Sequence, residues 1–212
     1  MTMTTTVLND HIDAARIEHR PAARDSDTGW AASLVLEAPH DSLRELIRRG
    51  TSGLCLSALY GLAIGARQGG TALLVHTTGV PLGLALVTLA GAPSLFVFLS
   101  MCRAPIDGRV LAGAMVRGIA SAGVVLAGLA PAAALFVVSS ETPQAAKLAV
   151  LLGLLLGGGI ALVRTTWDVL RAAARGPLAA FAAGLAIGFA LFTMAVGIRV
   201  FGAVLPILGG AS

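Results

Sequence analysis

Polar and apolar residues separate along this chain by position rather than by period. Residues 1–39 are polar, carry charges of both signs and show no sustained repeat. From residue 51 onward, long apolar runs are interrupted only by short polar joints. The first part is expected to be a mostly flexible tail. The second reads as successive helices in lipid, because crossing a bilayer takes about 20 apolar residues. The runs fall at about 51–66, 80–101, 118–138, 145–163 and 177–198. The expected organisation is a tail over 1–40 and a helical membrane domain over 41–212. The fold class is all-α, a polytopic transmembrane bundle of about five spans with short interfacial amphipathic helices.

The joints refine this outline. Ser42-Leu43-Arg44-Glu45 fits a capping box, with the serine hydroxyl taking the N–H three residues on and Glu45 reaching back. Leu43, Leu46 and Ile47 then share one face and Arg44 and Arg48 another, which predicts a short interfacial helix ended or hinged at Gly50. Gly69-Gly70 is a turn signal, and residues 71–78 are read as a lateral interfacial piece. Pro81 suits the start of the second span. Pro93 inside that span and Pro131 inside the third are candidate kinks, the first near Ala90. Residues 102–117 form a polar break. Thr142 and Pro143 suit a cap and a first helical position. Arg164, Asp168, Arg171 and Arg175 share a face, so the fourth helix is expected to run past its span, with Asp168 pairing to Arg164 and Arg171 and Trp167 at headgroup level. Gly176-Pro177 ends it. Val200 to Leu208 is too short to cross again.

Composition supports lipid as the solvent. Charged residues make up 12%, against about 25% in soluble domains. Eight of the eleven acidic residues lie in the first 50, leaving Asp107, Glu141 and Asp168 for the rest. The net charge of +4 does not imply nucleic acid, because the arginines sit at the ends of apolar runs and no nucleic-acid motif accompanies them. They set orientation instead. With five spans and a cytoplasmic N-terminus, 12 of the 15 Lys/Arg fall inside, and only Arg67, Lys147 and Arg199 fall outside. No signal-peptide pattern opens the chain. One lysine against 14 arginines points to a GC-rich bacterium, hence to a bacterial cytoplasmic (inner) membrane.

Candidate chemistry is sparse. Cys55 and Cys102 form no CxxC pair and no zinc spacing, and read as small apolar core residues. His11, His19 and His40 lie in the tail and His76 stands alone, so no catalytic, cofactor or metal site is expected. No carboxylate falls inside an expected span, which weakens an ion-coupled transporter reading. Gly61/Gly65, Gly153/Gly157 and Gly184/Gly188 each put two small residues on one helix face, for packing inside the bundle or against another subunit. Arg103, Arg109, Arg117, Arg164, Trp167, Arg171 and Arg175 are either topology and anionic-lipid contacts or a platform for an acidic partner. Trp30 to Leu36 is either a docking segment or a piece lying on the membrane.

The span order also carries a resemblance. Leu59-Tyr60-Gly61-Leu62 through Gly70, the lateral segment, Ala92-Pro93-Ser94-Leu95-Phe96, Gly128-Leu129-Ala130-Pro131 and the closing Gly197-Ile198-Arg199-Val200-Phe201-Gly202 to Pro206 resemble small five-span bacterial proteins of the Yip1-type membrane domain family. The resemblance covers about 42–210. It implies a non-enzymatic membrane protein that organises or traffics through partners. The expected function is therefore a scaffold, anchor or subunit in the bilayer, bound to a protein partner or a second copy. The alternative is a small channel or carrier built on the two proline-kinked spans.

Overall fold

The computed structural model describes residues 42–66, 69–101, 107–173 and 179–205. The tail with its Trp30 to Leu36 segment lies outside the described residues, as do Arg67, Cys102, Arg103, Arg175 and Gly176-Pro177. The described chain is five helices: α1 (Leu43–Gly65), α2 (Gly70–Met101), α3 (Gly108–Ser139), α4 (Pro143–Ala173) and α5 (Ala179–Val204). Four carry segments long and apolar enough to cross a membrane: Gly70–Val97, Gly108–Ser139, Pro143–Arg171 and Ile187–Val204. The fold is that of a multi-pass helical membrane protein.

Local chemistry starts and stops these helices where the sequence places it. Ser42 caps α1, its Oγ accepting from the Glu45 N–H at 3.3 Å. The reciprocal half differs: the Glu45 carboxylate is engaged by Arg48 at 2.7 Å and Arg49 at 2.9 Å. These hydrogen bonds hold its carboxyl below the usual carboxylate range. Gly69 and Gly70 have φ of +61° and +54°, a left-handed turn that a side chain would resist, and α2 starts there. Thr142 Oγ1 accepts from the Ala145 N–H at 3.4 Å, and Pro143 is the first residue of α4.

Several boundaries correct the expectations. Gly50 does not end the amphipathic helix; α1 runs through it to Gly65. Residues 71–78 are not a lateral piece but the first turns of a 32-residue α2, so Pro81 lies inside the helix, as does Pro93. The hydroxyls of Thr77, Thr78 and Ser94 donate to carbonyls one turn back beside these prolines, as membrane helices carrying proline commonly arrange. Residues 108–117 are helical rather than a polar break: Asp107 caps α3, which also contains Pro131. Helix α4 does run past residue 163, to Ala173. Helix α5 carries Arg199 through to Val204 without stopping.

Helix direction follows from the close approaches. Gly50 of α1 lies beside Val116, and Gly53 beside Ala120 and Gly123, so α1 and α3 run parallel. Gly61 meets His76 and Gly65 meets Leu73, so α1 and α2 are antiparallel. Gly118 meets Thr165 and Gly157 meets Leu126, making α3 and α4 antiparallel. Gly79 meets Leu205, Gly83 meets Phe201 and Gly91 meets Phe189, making α2 and α5 antiparallel. The five helices therefore alternate up and down. Helix α1 is too polar at its start to qualify as a span by composition, yet it lies alongside α3.

Two apolar clusters fill the interior. Tyr60, Ile64, Val80, Leu126, Val137, Val150 and Leu205 form one; Leu95, Leu99, Leu111, Ala114, Met115, Val169 and Phe189 form the other. Burial of this apolar area is not what draws helices together in lipid; close packing and interhelical hydrogen bonds are.

Candidate functional site

Three features of the bundle carry polar or open character: an interhelical ion pair, a buried tyrosine with a buried histidine, and an apolar recess.

The ion pair joins α3 to α4. Arg117 Nε donates to Asp168 Oδ2 at 2.9 Å, and each side chain is about a tenth exposed. The two residues are 51 apart in sequence, so no single-helix spacing foretells the contact. The sequence places Asp168 at pairing distance from Arg164 and Arg171 along its own helix; the contact seen across the bundle is with Arg117 of α3. Asp168 lies beyond the expected fourth span at 145–163 but within the longer apolar segment Pro143–Arg171. Helices α3 and α4, at 32 and 31 residues, are about 46–48 Å long, more than the ~30 Å hydrocarbon core. Arg117, in the first third of α3, and Asp168, in the last third of α4, meet toward the same end of the bundle. Beside them Gly118 leaves room for Thr165, whose Oγ1 donates to the Ala114 carbonyl at 3.5 Å.

The remaining expected platform residues separate. Arg109 and Arg171 are exposed, and Arg171 stacks over the half-exposed Trp167 at 5.3 Å from the ring centroid. Arg164 is half-buried on α4. Arg117 is buried against Asp168 and is not a surface contact. Arg103 and Arg175 are outside the described residues.

Tyr60 on α1 is fully buried, and its hydroxyl donates to the Val150 carbonyl of α4 at 3.2 Å. Gly153 makes the room, since a Cβ there would overlap that hydroxyl. His76 on α2 is also fully buried; its Nδ1 lies 2.7 Å from the Ala72 carbonyl, and its Nε2 has no hydrogen-bond partner. Among the described residues no cluster of His, Cys, Asp or Glu could hold a metal. Cys55 is exposed on α1 rather than in the core position expected of it.

The recess lies between α2, α3, α4 and α5 and has a volume of about 450 Å³. Leucines of α4, Ile198, Met194, Phe189 and Phe201 form most of its wall, with Thr88, Thr165, Thr193 and Lys147 as its polar groups. Thr193 Oγ1 is buried without a hydrogen-bond partner. No motif search of the sequence finds this site, because it is made by side chains that are missing on facing helices.

The glycine pairs behave differently from one another. Gly61/Gly65 and Gly153/Gly157 sit at helix crossings, where a Cβ would collide with α2 or with Tyr60 and Leu126. Gly184 and Gly188 of α5 are exposed, with open space where a Cβ would go.

Comparison with protein-family models, with curated proteins and with solved structures finds no match for this chain.

Proposed function

We propose that this chain is a non-enzymatic, five-crossing membrane subunit or anchor that holds a protein partner through its last helix. The observation that carries this reading is the unused face of α5. Glycine pairs at four-residue spacing in α1 and α4 are filled by neighbouring helices, whereas Gly184 and Gly188 face open space. Small residues in a membrane helix let another helix approach closely. The alternating helix directions and the 12-to-3 division of Lys/Arg support a cytoplasmic N-terminus, with the bacterial inner membrane as the setting. The resemblance to Yip1-type domains points the same way, toward action through partners.

The test is purification of the full chain in mild detergent with mass spectrometry. A stoichiometric membrane partner, or a second copy, should be present and should be lost in Gly184→Leu with Gly188→Leu. Both positions are open, so the bundle itself should be unchanged. A lone monomer, identical in the two proteins, overturns the reading.

A second reading, a small carrier, is favoured by the Arg117–Asp168 pair, since charged groups within membrane helices often mark solute pathways. It requires solute flux in liposomes that responds to Pro93→Ala or Pro131→Ala.

A further inference from the structure

The recess can be described by depth, emptiness and charge. Along α4 its lining runs from Lys147 to Thr165, which is about 27 Å of helix. That is close to the ~30 Å thickness of a bilayer's hydrocarbon core. Its volume of about 450 Å³ lies in the roughly 300–1,000 Å³ range of ligand sites.

Its emptiness has a cause in the sequence. Gly158 and Gly159 on α4 and Gly197 and Gly202 on α5 all line it, and a Cβ at any of them would meet nothing within 4 Å. Two helices thus face each other across a gap that four absent side chains leave. Its few hydroxyls are mostly committed: Thr88 donates to the Leu84 carbonyl at 2.8 Å and Thr165 to the Ala114 carbonyl at 3.5 Å. An apolar gap of this kind does not attract water, which needs several polar partners. In a bilayer the apolar matter at hand is the acyl chain.

The charge is at one end. Lys147, the chain's single lysine, lines the recess one turn from the start of α4 and is half-buried. Beside it along α5 lie Phe201 and Gly202, at the same end by the antiparallel order of the helices. A cation at the polar margin of an otherwise apolar slot complements an amphiphile with an anionic head.

We propose that this recess binds one anionic phospholipid, an acyl chain lying between α4 and α5 and the headgroup phosphate against Lys147. This goes beyond the partner-docking reading, because Gly184 and Gly188 do not line the recess and either proposal stands without the other.

The test is titration of the purified, delipidated full chain in detergent with phosphatidylglycerol and, separately, phosphatidylcholine, read by native mass spectrometry. One phosphatidylglycerol per chain should bind saturably, with preference over phosphatidylcholine. Lys147→Gln should lower that preference about fivefold while acyl binding persists. Gly158→Leu and Gly197→Leu, which place a side chain in open space, should each weaken binding of both lipids at least about tenfold. Gly184→Leu, outside the recess, should bind as the wild type does. Circular dichroism and size exclusion select the variants that keep the fold, and either filling variant suffices. Non-saturable binding, wild-type affinity in a folded filling variant, or a preference indifferent to Lys147→Gln overturns the proposal.

Discussion

Glycines at the crossings of α1 to α4 and glycines of α5 are used to opposite ends. The most apolar stretch of α3 is 39% buried inside the protein, that of α5 only 6%. The first group are contact points: Gly53 against the Gly123 backbone, Gly61 against the His76 backbone and Gly153 against the Tyr60 hydroxyl. Gly184, Gly188, Gly197 and Gly202 of α5 meet nothing. Glycine enrichment by itself therefore does not identify a packing face. What separates the groups is whether a neighbour has moved into the space. The crossings of the first group tie helices α1 through α4 into a packed frame, and α5 leans on α2 while leaving a gap toward α4.

The largest expected effects test that contrast directly. A Cβ at Gly123 would overlap the backbone of Gly53, which no rotamer change relieves. Gly123→Leu should cost more than the roughly 1–3 kcal/mol of ordinary overpacking and abolish the folded, monodisperse protein. Gly184→Leu in α5 should leave stability within about 0.5 kcal/mol of wild type. Unfolding by SDS in mixed micelles measures both, and equal effects would remove the distinction between the frame and α5.

Next in size is the tie between α3 and α4. Asp168→Ala removes the carboxylate to which the buried Arg117 donates, and should cost about 3–5 kcal/mol in the same assay. The double variant Arg117→Met with Asp168→Leu should recover most of that loss, because no unpaired charge remains. Failure to recover would mean that the pair does more than hold the frame, which is what the carrier reading requires. A smaller effect is expected at the tie from α1 to α4. Tyr60→Phe keeps the ring in the space that Gly153 leaves and removes one hydrogen bond to Val150, a loss of about 1 kcal/mol.

The helical class and the local punctuation were legible in the sequence because they depend on neighbours in the chain. Ser42, Gly69-Gly70, Thr142 and Pro143 act within one turn, and each stands at a helix boundary. The interval 71–78 reads as a lateral piece because it is too short to cross alone and Pro81 suits a helix start, whereas α2 runs through Pro81 from Gly70. In the bundle the hydroxyls of Thr77 and Thr78 bond to their own helix, and His76 is covered by α1 at Gly61 and Gly65. The start of α3 was misread for a different reason: Arg109 and Arg117 suggested a solvated joint, but Arg117 has a partner 51 residues away. One signal was present. Asp168 is the sole acid after Glu141, and a lone carboxylate in an apolar chain needs a cation. The recess was not legible, because periodicity marks which glycines share a face but not which faces stay uncovered.

The smallest expected effect probes α1, which contains the contrast within one helix. Its second half is buried at Tyr60, Ala63 and Ile64, while its first turn is largely exposed and Arg49, one turn on, is buried. There Glu45 accepts from Arg48 and Arg49, and these bonds hold its carboxyl below the ordinary value. A group whose pKa is lower in the folded than in the unfolded chain stabilises the fold above the unfolded value. The stabilisation is lost as pH falls through the folded one, because the unfolded chain takes up the proton first. Acidification below the usual carboxylate range should therefore loosen the first turn of α1, and Glu45→Gln should remove that pH response. Because the carboxylate is near water, salt should screen the effect and the change in global unfolding should be slight. Amide exchange of residues 45–49 is the suitable readout, compared with that of residues 60–64. Faster exchange confined to 45–49 would show that the polar turn is an appendage to the frame. Equal loosening at 60–64 would show that α1 moves as one piece, with the Arg48 and Arg49 contacts helping to set the position of Tyr60 on α4.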